Sequence, residues 1–100
     1  MKVLCDFNLI TIGSGVSMSQ HIADCEKILI EFGLKTNIHA LGTNIEGDWD
    51  TIAKAIEKCH QHLHDNYDIK RIFTSLKIST RTDKEQNIDD KIDAVKKHLK

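Results

Sequence analysis

The spacing of apolar residues changes period along this chain, and the order of those changes restricts the folds open to it more than any single motif does. Between Val3 and Ile12, Cys5, Phe7 and Leu9 alternate with Asp6 and Asn8. That period of two belongs to a strand with one buried face. Gly13-Ser14-Gly15 reads as a turn, and Ser17-Met18-Ser19-Gln20 matches a capping box that opens a helix. Met18, Ile22, Cys25, Leu29 and Phe32 then draw one helical stripe, with Gly33 placed to end it in a left-handed cap. Two short strands follow, from Leu34 to Leu41 and from Thr43 to Glu46, with Gly42 as the bend between them.

Asp48 is placed to cap a second helix starting at Trp49. Along it Ile52, Ile56, Leu63 and Tyr67 form the buried stripe, with Ala53 and His60 at its edges and Asp68 at the exit. A fourth strand runs from Arg71 to Thr80, where Ile72, Leu76 and Ile78 alternate with Ser75, Lys77 and Ser79. After a charged loop from Thr82 to Gln86, Ile88, Ile92, Val95 and Leu99 mark a last helix. Its acidic residues Asp89 and Asp90 lead and its lysines Lys96, Lys97 and Lys100 trail, as the helix dipole favours.

Strand, helix, strand, strand, helix, strand is the order of an α+β ferredoxin-like domain, here a single one spanning 1–100. Right-handed crossovers put the first two helices on one face of a four-stranded antiparallel sheet, and the C-terminal helix is extra. One helix cannot cover the whole second face. The apolar remainder predicts a second copy of the chain, hence a homodimer or homotetramer with ligand pockets on or between the sheet faces.

One hundred residues leave room for one domain, and a net charge of -1 lacks the basic excess of a nucleic-acid binder. Cys5, Cys25 and Cys59 fall on apolar faces, which fits buried thiols in a reducing compartment. The first apolar run is broken by Asp6 and Asn8, too short and polar for a signal peptide or membrane span. The expectation is a soluble cytoplasmic protein without membrane or nucleic-acid partners.

Several residues invite a functional reading. Glu46 stands between Gly42 and Gly47 at a strand end, where a carboxylate can meet a ligand; the competing role is an ion pair with Lys77 or Arg81. Ser14 and Ser17 lie near a helix N-terminus, suited to polar ligand groups, with capping the stronger role for Ser17. The glycine turn lacks the lysine of a phosphate-binding loop. Lys77, Arg81 and Lys84 suit either a phosphate or, preferably, a solvated or intersubunit charge row. His60 and His64 are one helical turn apart, but two ligands are too few for zinc. No nucleophile elbow or cysteine-histidine signature is present, so no catalytic residue is named and no enzyme is expected.

Three ordered blocks carry a resemblance that spans the chain: Ile10 to Gly15, Leu41 to Gly47, and Thr74 to Lys84. Together they resemble the thiamine-binding, YkoF-like family of small proteins. The chain resembles the fungal members in particular, which also have a tryptophan after the second glycine and an Arg-Thr-Asp-Lys run. The resemblance implies a ferredoxin-like dimer or tetramer that binds thiamine or its hydroxymethylpyrimidine part as a ligand, with no further cofactor and no catalysis. The family's threonine, glutamate and glycine match Thr43, Glu46 and Gly47, and its late strand matches Thr74 through Arg81. Thr11 departs from the proline of many relatives. With Thr43, Glu46, Thr74 and Lys77 from those matching segments, Asn8, Ser14 and Ser17 complete the ligand-binding candidates as polar groups read from the residues themselves, and the alternative is a self-assembling interaction module without a small ligand.

Overall fold

A computed structural model describes residues 1–13, 15 and 18–99. Seven elements follow one another: β1 (Lys2–Ile12), α1 (Ser19–Glu31), β2 (Lys35–His39), β3 (Gly42–Asp48), α2 (Trp49–Tyr67), β4 (Arg71–Ser79) and α3 (Ile88–Lys96). The strands form one antiparallel sheet in the order β2-β3-β1-β4, the ferredoxin-like arrangement with an added C-terminal helix.

Register assigns every strand residue to a face, because residues paired across antiparallel strands point the same way. Cys5 pairs with Ile45 and Ile78, and Phe7 with Thr43 and Leu76, on the side covered by α1 and α2. There Val3, Cys5, Phe7, Leu9 and Ile45 meet Cys25, Ile28 and Leu29 of α1 and Ile52, Ala55, Cys59 and Leu63 of α2 in one buried core. The opposite face carries Leu4, Asp6, Asn8, Ile10 and Ile12 of β1, Asn44 and Glu46 of β3, and Ser75, Lys77 and Ser79 of β4.

The helix ends follow local chemistry. Gly33 takes φ +78, so α1 closes in the left-handed region that glycine enters without a Cβ penalty. Asp48 accepts a hydrogen bond from the Asp50 N–H at the start of α2, and Asp68 leaves α2 at φ 52. Asn87 caps α3 by accepting from the Asp90 N–H.

Four expectations are corrected. The turn between β2 and β3 is at Ala40 and Leu41, and Gly42 is the first residue of β3. A Cβ on Gly42 would sit 2.7 Å from the Phe7 carbonyl oxygen, so the glycine permits close strand approach rather than the bend. On α1, His21 and Ile28 are buried while Phe32 is exposed, because the helix stops at Glu31. On α2 the deepest stripe is Ile52, Ala55, Cys59 and Leu63, and Tyr67 lies at the rim. On α3 only Ile88 of the apolar stripe is buried, since the helix meets the sheet through its first turn. The capping box at Ser17 lies outside the described residues; α1 begins at Ser19.

Candidate ligand-binding site

The strands and α1 leave a cavity of about 290 Å³ on the helix-bearing side of the sheet, beneath the β2–β3 hairpin. Its apolar wall includes Phe7 and Leu9 of β1, Met18, Ile22 and Cys25 at and along α1, and Ile38 and Leu41 of the hairpin. Leu41 is 80% exposed although it borders the cavity, so its side chain is an uncovered lip. Two polar side chains meet inside the ring. Thr43 donates its hydroxyl hydrogen to Glu26 Oε2 at 3.3 Å. Among the described residues no lysine, arginine or histidine nitrogen lies within 4 Å of the Glu26 carboxylate. It is a half-buried acid with a neutral partner.

The lip is fastened from the other face of the sheet. Asn8 donates its side-chain amide to the Leu41 carbonyl. His39 Nδ1 accepts from the Leu41 N–H at 3.3 Å, and His39 Nε2 donates to Asp6 at 2.7 Å. Asn44 reaches the same Asp6 oxygen at 3.5 Å. Both backbone groups of Leu41 are therefore held by side chains, which fixes the turn over the cavity.

The residues expected from sequence distribute unevenly around this site. Thr43 lines the cavity, and Asn8 borders it and holds its lip. Ser14 and Ser17 lie outside the described residues. Glu46 is on the opposite face, where Oε1 accepts the Ile88 N–H at 2.8 Å and Oε2 lies 3.7 Å from Lys2. Its ionic partner is thus Lys2 and the amino end of α3, not Lys77 or Arg81. Arg81 instead clasps Asp83 at 2.6 Å. Lys77 stands exposed on that face, opposite Asp6 in register. Thr74 lies under α2, 2.5 Å from His60 Nε2. The cavity itself is on the helix side, away from the open sheet face, which was one of the two expected places for a pocket, the seam between subunits being the other.

Glu26 was missed by sequence reasoning. It falls one turn after Ile22 and beside Cys25, at the margin of the apolar stripe of α1, and that placement was its available signal.

The remaining reactive groups are engaged elsewhere. Cys25 borders the cavity, but its hydrogen bond with Cys59 and its burial push the thiol well up, which keeps it protonated and a poor nucleophile. The Cys59 thiol points to the Cys25 carbonyl oxygen at 3.7 Å. Burial, with His64 nearby, lowers the pKa of His60, and His64 Nδ1 bonds the Ile69 carbonyl. Between α1 and α2, Asp24 accepts from Tyr67 at 2.5 Å, from His62 at 2.9 Å and from Gln20 at 2.8 Å. Those bonds, Tyr67 foremost, hold its pKa down at about 2.

Fold and cavity together define a ferredoxin-like α+β domain with a small, mostly apolar chamber set between a helix and a sheet. A profile of thiamine-binding proteins matches residues 5–96, and the chain belongs to that family. A UPF0045 protein of Synechocystis is 43% identical over 99% of this chain and 81% of its own length. The fungal UPF0045 protein ECM15 of Eremothecium gossypii is 37% identical over 99% of this chain and 94% of its own length. A crystal structure of a hypothetical protein from Methanocaldococcus jannaschii superposes with TM-score 0.87 at 34% identity, covering 95% of this chain and 96% of that one. Among the described residues no helix is long and apolar enough to cross a membrane.

Proposed function

We propose that this protein binds thiamine or a related hydroxymethylpyrimidine compound, without turning it over, in the cavity between α1 and the β2–β3 hairpin. The observation that carries the reading is Glu26: an acid with no cationic partner among the described residues, bordering an apolar chamber, in a chain of the thiamine-binding family. Thiamine offers an aminopyrimidine edge that donates and accepts hydrogen bonds and a thiazolium with a fixed positive charge. A carboxylate suits both, and the aliphatic and aromatic wall suits the ring faces. A volume of about 290 Å³ falls just below the usual span of ligand sites, roughly 300–1,000 Å³, and suits a compound of one or two rings. The high thiol pKa of Cys25 and the engaged ring nitrogens of His39 support binding over catalysis.

The reading includes self-association. Ile10, Ile12 and Phe73 are 48%, 47% and 55% exposed on the sheet face that α3 leaves uncovered, and a second copy would bury them. The same observation favours the second reading, an assembly module with no small ligand. Calorimetric titration with thiamine and with hydroxymethylpyrimidine separates the two. Saturable binding by either compound is expected, and at one hundred times the dissociation constant it should stabilise the fold by about 2.7 kcal/mol. Concentration-dependent assembly in sedimentation, with no heat of binding at millimolar ligand, would leave the assembly module in its place.

A further inference from the structure

We infer that the cavity selects the unphosphorylated form of its ligand and rejects phosphate esters of the same compound. This rests on the cavity being the ligand site, as proposed above. Its basis is the charge lining the chamber. Among the described residues around it, no lysine or arginine takes part, and Glu26 contributes a negative charge.

The neutral side-chain donors nearby each make one hydrogen bond within the protein. The Thr43 hydroxyl donates to Glu26. Asn8 donates to the Leu41 carbonyl. His39, on the rim, uses Nε2 on Asp6 and Nδ1 on the Leu41 N–H. Positions 13 to 18 of the sequence are glycine, serine, valine and methionine, with no basic residue among them.

Basic side chains stand elsewhere. Lys77 is on the far face of the sheet, in register with Asp6. Lys2, Arg81 and Lys84 border a separate depression beside the N-terminus, and Lys35 is paired with Asp89 at 2.6 Å. A phosphate dianion entering the cavity would lose hydration and meet a carboxylate, with no ammonium or guanidinium to compensate. A thiazolium or protonated pyrimidine entering it would meet an opposite charge in a partly desolvated place. Discrimination then comes from repulsion of the wrong ligand as much as from attraction of the right one. The amino end of α1, near Met18, is the element that favours anions, but Glu26 two turns further along the same helix opposes it.

The test is calorimetric titration of the wild-type protein and of Glu26→Gln with thiamine, thiamine monophosphate and thiamine diphosphate. The wild type should bind thiamine at least about 10-fold more tightly than either ester. In Glu26→Gln, thiamine should bind more weakly, and the gap to the esters should close to within about threefold. Esters that bind the wild type as tightly as thiamine would overturn the selectivity while leaving the cavity as the ligand site. Binding of none of the three would overturn the cavity reading and the selectivity with it. The wild-type ratio decides the matter by itself if the variant does not fold.

Discussion

Glu26 and Glu46 are both half-buried carboxylates, one on each side of the sheet, and their neighbours give them different work. Glu26 has a hydroxyl for company and faces a chamber. Glu46 accepts the Ile88 N–H and sits at the positive end of the α3 dipole, with Lys2 at the edge of reach. Its contribution is therefore to hold α3 on the sheet. Glu46→Gln keeps an acceptor but loses the charge, and should cost about 0.5–1 kcal/mol of stability. Amide exchange at Ile88 and along α3 should quicken, with thiamine affinity unchanged. Loss of affinity with α3 exchange unaltered would bring Glu46 back into the ligand site. The sequence drew attention to Glu46 because of Gly47, yet that glycine makes room for the core: a Cβ there would lie 2.4 Å from Leu34 Cδ2. A glycine that serves packing and one that serves a ligand look alike in a sequence.

The clasp between α1 and α2 adds a pH-sensitive term that local periodicity does not reveal, because it joins residues far apart in sequence. Asp24 has an ordinary pKa of 3.8 when unfolded and about 2 in the fold, so the native state prefers its ionised form. The stabilisation is complete above roughly pH 4 and is lost as pH falls through about 2. Tyr67→Phe removes the strongest bond to Asp24. It should raise the Asp24 pKa, lower stability at neutral pH by about 1 kcal/mol, and flatten the stability profile between pH 4 and 2. Urea unfolding at a series of pH values checks this, and an acid profile identical to wild type would contradict the clasp. The elements themselves were legible, since periods of two and of about 3.6 are imposed by backbone geometry and by one shared core. Their ends were less so. Gly42 was read as a bend because turns and tight strand contacts both require a residue without a side chain, and Phe7 shows which applied here.

Seen as one body, the sheet has two faces with different fates. One packs against α1 and α2 and encloses the cavity; the other is covered by α3 at one end and leaves Ile10, Ile12 and Phe73 exposed. The order of elements was sufficient to derive this architecture, including the incompletely covered face. It was not sufficient to locate the cavity, whose wall combines β1, α1 and a hairpin lip held by Asn8, His39 and Asp6 across the sheet. Such a wall depends on three-dimensional closure rather than on any one segment. The measurement that addresses it most directly is a two-dimensional amide NMR titration of the protein with thiamine. Saturable shifts should cluster at Phe7, Ile22, Glu26, Leu41 and Thr43, with Ser75, Lys77 and Ile88 unmoved. Shifts confined to Ser75, Lys77 and the exposed sheet face, or none at all, would contradict a ligand site between α1 and the β2–β3 hairpin.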